Sequence, residues 1–191
     1  EIECKRAIET TENALILYKD DARALAHGAL RRALYDKSDR HFDFTPDELL
    51  SEVRTVTTVE LQNLHTKFIQ SYWTVSIGGN SKAIKESVKL IDKFKKSQPN
   101  AQLETVNTKN QSITGKKILL QSVSSKQNID LSIGGLLPLT ISDDDLAPFT
   151  FGLAVLGKWG GFAGRLMSIV REKEGLTYGI YAKAEGLSKF E

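Results

Sequence analysis

Cysteine is almost absent from this chain: a single Cys4 excludes an intrachain disulfide and cannot assemble a cysteine-rich zinc site. Histidine is scarce as well. His27, His41 and His65 are the three, and none stands four residues from another with an acid beside or between them, so neither helical two-histidine zinc motif is present. His27 and His65 read as ordinary helix residues, and His41 as a loop residue without a visible partner. No metal site and no catalytic residue is therefore expected in this chain. No charge of one sign dominates: 26 Lys and Arg face 24 Asp and Glu, a net charge of +2, with the lysines dispersed among carboxylates. Aromatics make up 8% and fall mainly at apolar-periodic positions instead of alternating with basic residues, which argues against a nucleic-acid partner. Long apolar runs are missing too. The stretches around Gly134 to Leu139 and Phe151 to Leu156 are far shorter than the roughly 20 residues of a membrane helix, so no membrane span is expected. The lone methionine is Met167, and the chain opens on the charged helix-like run EIECKRAIETTENALILY, so a piece of a longer protein is expected. Compartment stays open between bacterial periplasm, cytoplasm and an organelle.

What is present is a hydrophobic fraction of 40% in 191 residues, enough for one domain or two small pieces. From Glu1 to about Asp36, strong helix formers carry Ile8, Leu15, Ala22, Leu25, Leu30 and Leu34 at spacings that form apolar faces. This predicts two helices, broken near Lys19-Asp20-Asp21, where a carboxylate caps the second. Thr45-Pro46-Asp47-Glu48 is a helix start with capping-box spacing and proline at the first helical position; Thr57 and Glu60 repeat that spacing. Alternation at Trp73, Val75 and Ile77 predicts a strand ending in Gly78-Gly79-Asn80, after which Ser81 caps a helix with Ile84, Val88 and Ile91 on its buried side. The chain is expected to divide at a polar linker, residues 97–115, into units 1–96 and 116–191. Beyond the linker, Lys117 to Val123 and Asn128 to Ile133 alternate as strands, and a helix from about Leu146 to Leu156 follows Asp143-Asp144-Asp145. Those carboxylates could serve a hard cation, but a helix cap explains them without one.

The run Gly157-Lys158-Trp159-Gly160-Gly161-Phe162-Ala163-Gly164-Arg165 fails as a phosphate cradle, because no Gly-Lys-Ser/Thr triplet closes it and the dinucleotide glycine spacing is absent. Its glycines, Gly160, Gly161 and Gly164 among them, suit a tight turn that passes close to another backbone and launches a helix from Arg165 to Glu174, ended by Gly175. Arg171 and Tyr178 then flank Gly175, seven positions apart. Together a forked guanidinium and a phenol could bind the backbone carbonyls of an extended peptide. On spacing alone the plainer reading is a surface arginine paired with Glu172 or Glu174 and a half-buried tyrosine.

The run LAVLGKWGGFAGRLMSIVREKEGLTYGIYA, preceded by GKKILLQSVSSKQNIDLSIGGLLPLTISDDDLAPFTFG, closely resembles the opening half of the non-catalytic second domain of the insulinase, pitrilysin and mitochondrial-processing-peptidase family of zinc metallopeptidases. A glycine-rich turn, an Arg-Leu, and an arginine followed seven residues later by tyrosine are typical there, and they map onto Gly160, Gly161, Arg165, Arg171 and Tyr178. Lys158-Trp159 departs from the small residues usual in that turn. The earlier segments ALRRALYD, FTPDELLSEVRTVTTVELQNLHTKFI and WTVSIGGN resemble, less closely, the end of the family's zinc-bearing first domain. The resemblance implies an α/β (α+β) fold, a mainly antiparallel sheet covered by helices, in permuted or exchanged order. It implies that Arg171 and Tyr178 hold the backbone of an extended peptide substrate, that zinc is bound upstream in the parent protein and not by this chain, and that the partners are the remainder of the parent chain or a second copy by exchange. The alternative it offers is a non-catalytic structural or docking homologue.

Overall fold

A computed structural model describes residues 2–71, 73–95, 115–124, 126–157 and 163–185. Of the expected linker only Gly115 lies among them. The chain divides into two compact units, Glu1–Gly135 and Leu136–Glu191.

In the first unit, helix α1 spans Ile2–Tyr18 and α2 spans Ala22–Leu34. Between them the chain tightens: the N–H groups of Lys19, Asp20 and Asp21 donate to the carbonyls three residues back, at 3.1 to 3.2 Å. Asp21 then caps α2, accepting from the Ala24 N–H at 3.0 Å. Helix α3, Pro46–Val53, opens on a full capping box: the Glu48 N–H donates to Thr45 Oγ1 at 3.2 Å and the Thr45 N–H donates to Glu48 Oε2 at 2.9 Å. Helix α4, Thr58–Gln70, repeats the device with Thr57 and Glu60. Helix α5, Ser81–Lys95, begins one residue earlier than expected for its cap: Asn80 Oδ1, and not Ser81, accepts from the Ala83 N–H at 2.9 Å.

The core of this unit lies on α2 and α3. Leu25, Ala33, Leu34 and Leu50 are buried, and each leucine contributes about 2 kcal/mol on leaving water. α1 packs against α3, and Arg54 Nε donates to Glu12 Oε1 at 2.7 Å across that contact. Gly28, in the middle of α2, leaves room for side-chain ends packed over the helix: a Cβ there would stand 2.9 Å from Asp43 Oδ2 and 3.2 Å from the Tyr18 hydroxyl, which would have to shift. That hydroxyl donates to the Ala24 carbonyl at 3.2 Å; burial, and then the neighbouring Asp43 carboxylate, push its pKa up.

The expected antiparallel sheet is not there. Among the described residues no ladder of paired strands forms, only isolated bridges at Tyr35 and Ala182, and the architecture is helical. A sheet-based domain in permuted or exchanged order falls with it. Alternation of apolar residues reports a local preference for extended backbone, whereas a ladder needs a second strand brought up from elsewhere. Residues 73–77, 117–123 and 128–133 are extended or irregular and stay unpaired. Residues 128–133 show how far the pattern departs from a core strand. Asp130 and Ser132 are the less exposed residues, with Asp130 3.8 Å from Arg23, while Ile129, Leu131 and Ile133 are 93%, 75% and 84% exposed.

In the second unit, α6 spans Leu146–Gly157. Asp145 precedes its first residue and accepts from the Phe149 N–H through its carbonyl, while the Asp143 carboxylate takes the Thr140 N–H and closes the turn leading in. The helix expected from Arg165 to Glu174 starts as α-helix at Arg165 and then widens into a π-helical segment, Met167–Lys173.

Candidate functional site

Two glycines set the start of the site. Gly164 holds φ at +113°, and a Cβ on it would stand 2.6 Å from Gly157 Cα and 2.9 Å from Gly157 N. Gly157, at φ +139°, ends α6, and its carbonyl accepts from the Ala182 N–H at 2.7 Å. The close backbone approach expected of the glycine-rich turn is thus made by Gly157 and Gly164. Gly160 and Gly161 lie outside the described residues. Arg165 is the exposed first residue of the helix that follows.

The helix then widens. The Glu174 N–H donates to the Ile169 carbonyl five residues back at 3.0 Å, which is the π pattern. Its end follows the Schellman scheme with every ring one residue larger: Leu176 N–H to the Val170 carbonyl, six back at 3.0 Å, and Gly175 N–H to the Arg171 carbonyl, four back at 3.1 Å. Gly175 takes the left-handed conformation this requires, φ +64°. Met167, at the head of the segment, is 1% exposed and anchors it.

Beyond Gly175 the chain turns and does not pair as a strand over residues 176–181. A short turn holds Tyr178 at its centre: Thr177 Oγ1 accepts from the Gly179 N–H at 3.3 Å and donates to the Gly179 carbonyl at 3.1 Å. The result brings the two expected residues together. The Arg171 guanidinium carbon lies over the Tyr178 ring, 5.0 Å from its centroid, within the range of a cation–π contact. Tyr178 is 80% exposed, so the half-buried tyrosine of the plainer reading is not what forms. Stacking engages the face of the guanidinium, whereas its donors radiate in the plane of the fork, the geometry suited to carbonyl or carboxylate oxygens.

The other titratable candidates do not add to this site. His41 does have a partner, close in sequence: its Nδ1 is 2.9 Å from Asp39 Oδ1, its ring stacks on Tyr35 at 5.0 Å, and the Asp39 carboxylate also accepts from its backbone N–H at 2.8 Å. A carboxylate two residues before a histidine is a visible signal for such a pair, and the sequence reading passed over it. The arrangement locks the loop between α2 and α3, where Arg31 Nε donates to the His41 carbonyl at 2.7 Å. Among the described residues no three His, Cys, Asp or Glu side chains come together as ligands to a metal, so these residues do not fit a zinc ion. Nor, among them, is any helix long and apolar enough to cross a membrane.

A family profile described as the peptidase M16 inactive domain matches residues 55–190, which takes in α4, α5, α6, the π-helical segment and the Arg171–Tyr178 pair. No curated protein matches the chain, and no solved structure does. The matched residues are well over half of the sequence, and the chain belongs to the insulinase and pitrilysin family of peptidases, within which it represents the non-catalytic domain.

Proposed function

We propose that this chain is the substrate-positioning part of a zinc metallopeptidase of the insulinase and pitrilysin type, with Arg171 and Tyr178 holding the main chain of an extended peptide. The stacked pair carries the reading. A cation–π contact pre-orients the guanidinium, so less side-chain freedom is lost when a peptide carbonyl takes up its donors, and the exposed phenol adds a hydroxyl that can donate or accept. Holding a peptide in one orientation lowers the entropic part of a hydrolytic barrier without any chemistry by the holder. No step of bond cleavage is assigned to the described residues; the remainder of the parent protein is the expected partner for that work.

Titration of the chain with a fluorescent, unstructured decapeptide tests this reading. Arg171→Ala is expected to weaken binding by about 1.5–3 kcal/mol, the loss of a charged hydrogen bond, or roughly ten- to a hundredfold. Tyr178→Phe keeps the stack and removes the hydroxyl, and should cost less than Tyr178→Leu. Peptide affinity unchanged by both Arg171→Ala and Tyr178→Leu would overturn the reading and leave a structural or docking homologue in its place.

A further inference from the structure

An α-helix brings the residue four positions on past a full turn, because a turn takes 3.6 residues. In the wider π ring the same residue falls short of a full turn. Met167 and Arg171 are four apart and both lie in the π-helical segment, so ring size decides the direction in which Arg171 leaves the helix relative to the buried Met167. Both ends of the segment are fixed independently. Gly164 is pressed against Gly157 on one side, and on the other Gly175 and the Thr177 hydroxyl turn set the place of Tyr178. π-Helical turns are rare, their hydrogen bonds are held at a cost relative to the α form, and they concentrate at functional sites. We propose that the extra residue in the π-helical segment Met167–Lys173 is a positioning device that rotates the Arg171 guanidinium over the Tyr178 ring. The inference rests on the reading of this pair as the peptide-holding site, and it adds what sets the pair's geometry.

Deletion of Glu172, whose side chain is exposed, removes one residue from the segment without removing a core contact, keeps Met167 and Arg171 four apart, and is expected to return the helix to α geometry. A compensating variant, the same deletion with an alanine inserted between Lys173 and Glu174, restores the count. Circular dichroism and thermal melting establish that both remain folded. The decisive readout is the upfield ring-current shift that the Tyr178 ring imposes on the Arg171 side-chain NMR resonances. It should vanish in the deletion variant, return in the compensated one, and be absent in Tyr178→Leu. Decapeptide affinity should fall in the deletion variant by the same factor as in Arg171→Ala, and recover on compensation. A ring-current shift that survives the deletion overturns the proposal, as does one that compensation fails to restore. A deletion variant that cannot fold while the compensated one folds and keeps the shift supports the required residue count. If the shift follows the count while peptide affinity follows neither Arg171 nor Tyr178, the peptide-holding reading fails and the geometric proposal stands.

Discussion

Among the described glycines Gly164 is the one least tolerant of a single added carbon, and Gly164→Ala tests the account of the turn directly. Two effects act in the same direction. An alanine at φ +113° sits in a conformation that side-chain-bearing residues rarely adopt, at about 1–3 kcal/mol. Its Cβ would also meet the Gly157 Cα at 2.6 Å, and the Leu156 carbonyl carbon at 3.2 Å. Those atoms are main chain and cannot swing aside, unlike the end of a flexible side chain, so the loss should lie near the top of that range, about 3 kcal/mol. For a unit of this size such a loss lowers Tm by on the order of 10–20 °C. Gly152→Ala is the matched control: it lies inside α6, with no atom within 4 Å of its added Cβ, and should raise stability by about 0.5–1 kcal/mol through helix propensity. Thermal and urea unfolding followed by circular dichroism read both, and hydrogen exchange at residues 165–176 localises the effect. A Gly164→Ala protein that melts with the parent, or moves upward with Gly152→Ala, would show that the Gly157–Gly164 approach is not made.

Two further predictions concern helix caps. The Glu48 carboxyl is held down to about 2 from an ordinary 4.5, first by the Thr45 backbone N–H and then by the Lys37 ammonium and the Thr45 hydroxyl. A depressed pKa of this kind means that its contribution is whole above about pH 4.5 and is lost as pH falls toward 2. NMR titration of the Glu48 carboxyl carbon should show a midpoint near 2 that rises only part of the way toward 4.5 in Thr45→Ala, which removes the hydroxyl but keeps the backbone N–H; a midpoint near 4.5 in the unmodified chain would refute the box. At α5, Asn80→Ala should cost about 1 kcal/mol in urea unfolding, while Ser81→Ala should be close to neutral. Equal effects of the two would mean the cap is misassigned.

How much of this was legible beforehand follows from how local each feature is. Asp21, Thr45 with Glu48, and Thr57 with Glu60 were readable because a cap is decided by a side chain and a backbone N–H within three residues. Asn80 was missed in favour of Ser81 because two good caps stand side by side and the helix start selects between them. The sheet was misread because alternation is local and pairing is not; at 128–133 the salt bridge of Asp130 with Arg23 turns the polar side inward, which no period-two pattern contains. Arg171 and Tyr178 were found through family resemblance, since their spacing alone favoured the plainer reading. The π-helical segment left no signal in the sequence, because a helix that takes one residue too many uses the same residue types as one that does not.

The distribution of buried residues explains why the site should be sensitive to small changes. Buried apolar side chains of the first unit, Leu25, Ala33, Leu34 and Leu50, all precede residue 55. Across the family-matched span, the buried described residues are Gly157 and Met167. Elsewhere among the described residues of that span many large apolar groups stay in water: Phe151 is 74% exposed on a helix that is apolar on every side, and Trp73 lies tilted against Phe68 and against Phe94 while all three stay exposed. A helix of that composition is ordinarily buried, so hydrophobic burial contributes little to holding the site as it stands. Its geometry depends instead on main-chain hydrogen bonds, three glycines at positive φ and one buried methionine. Segments with few buried contacts open at low free-energy cost, which is compatible with the proposed role of this pair in admitting and releasing a peptide. The same feature makes Gly164 and the residue count of the π-helical segment, and not the surrounding apolar surface, the places where the Arg171–Tyr178 geometry is set.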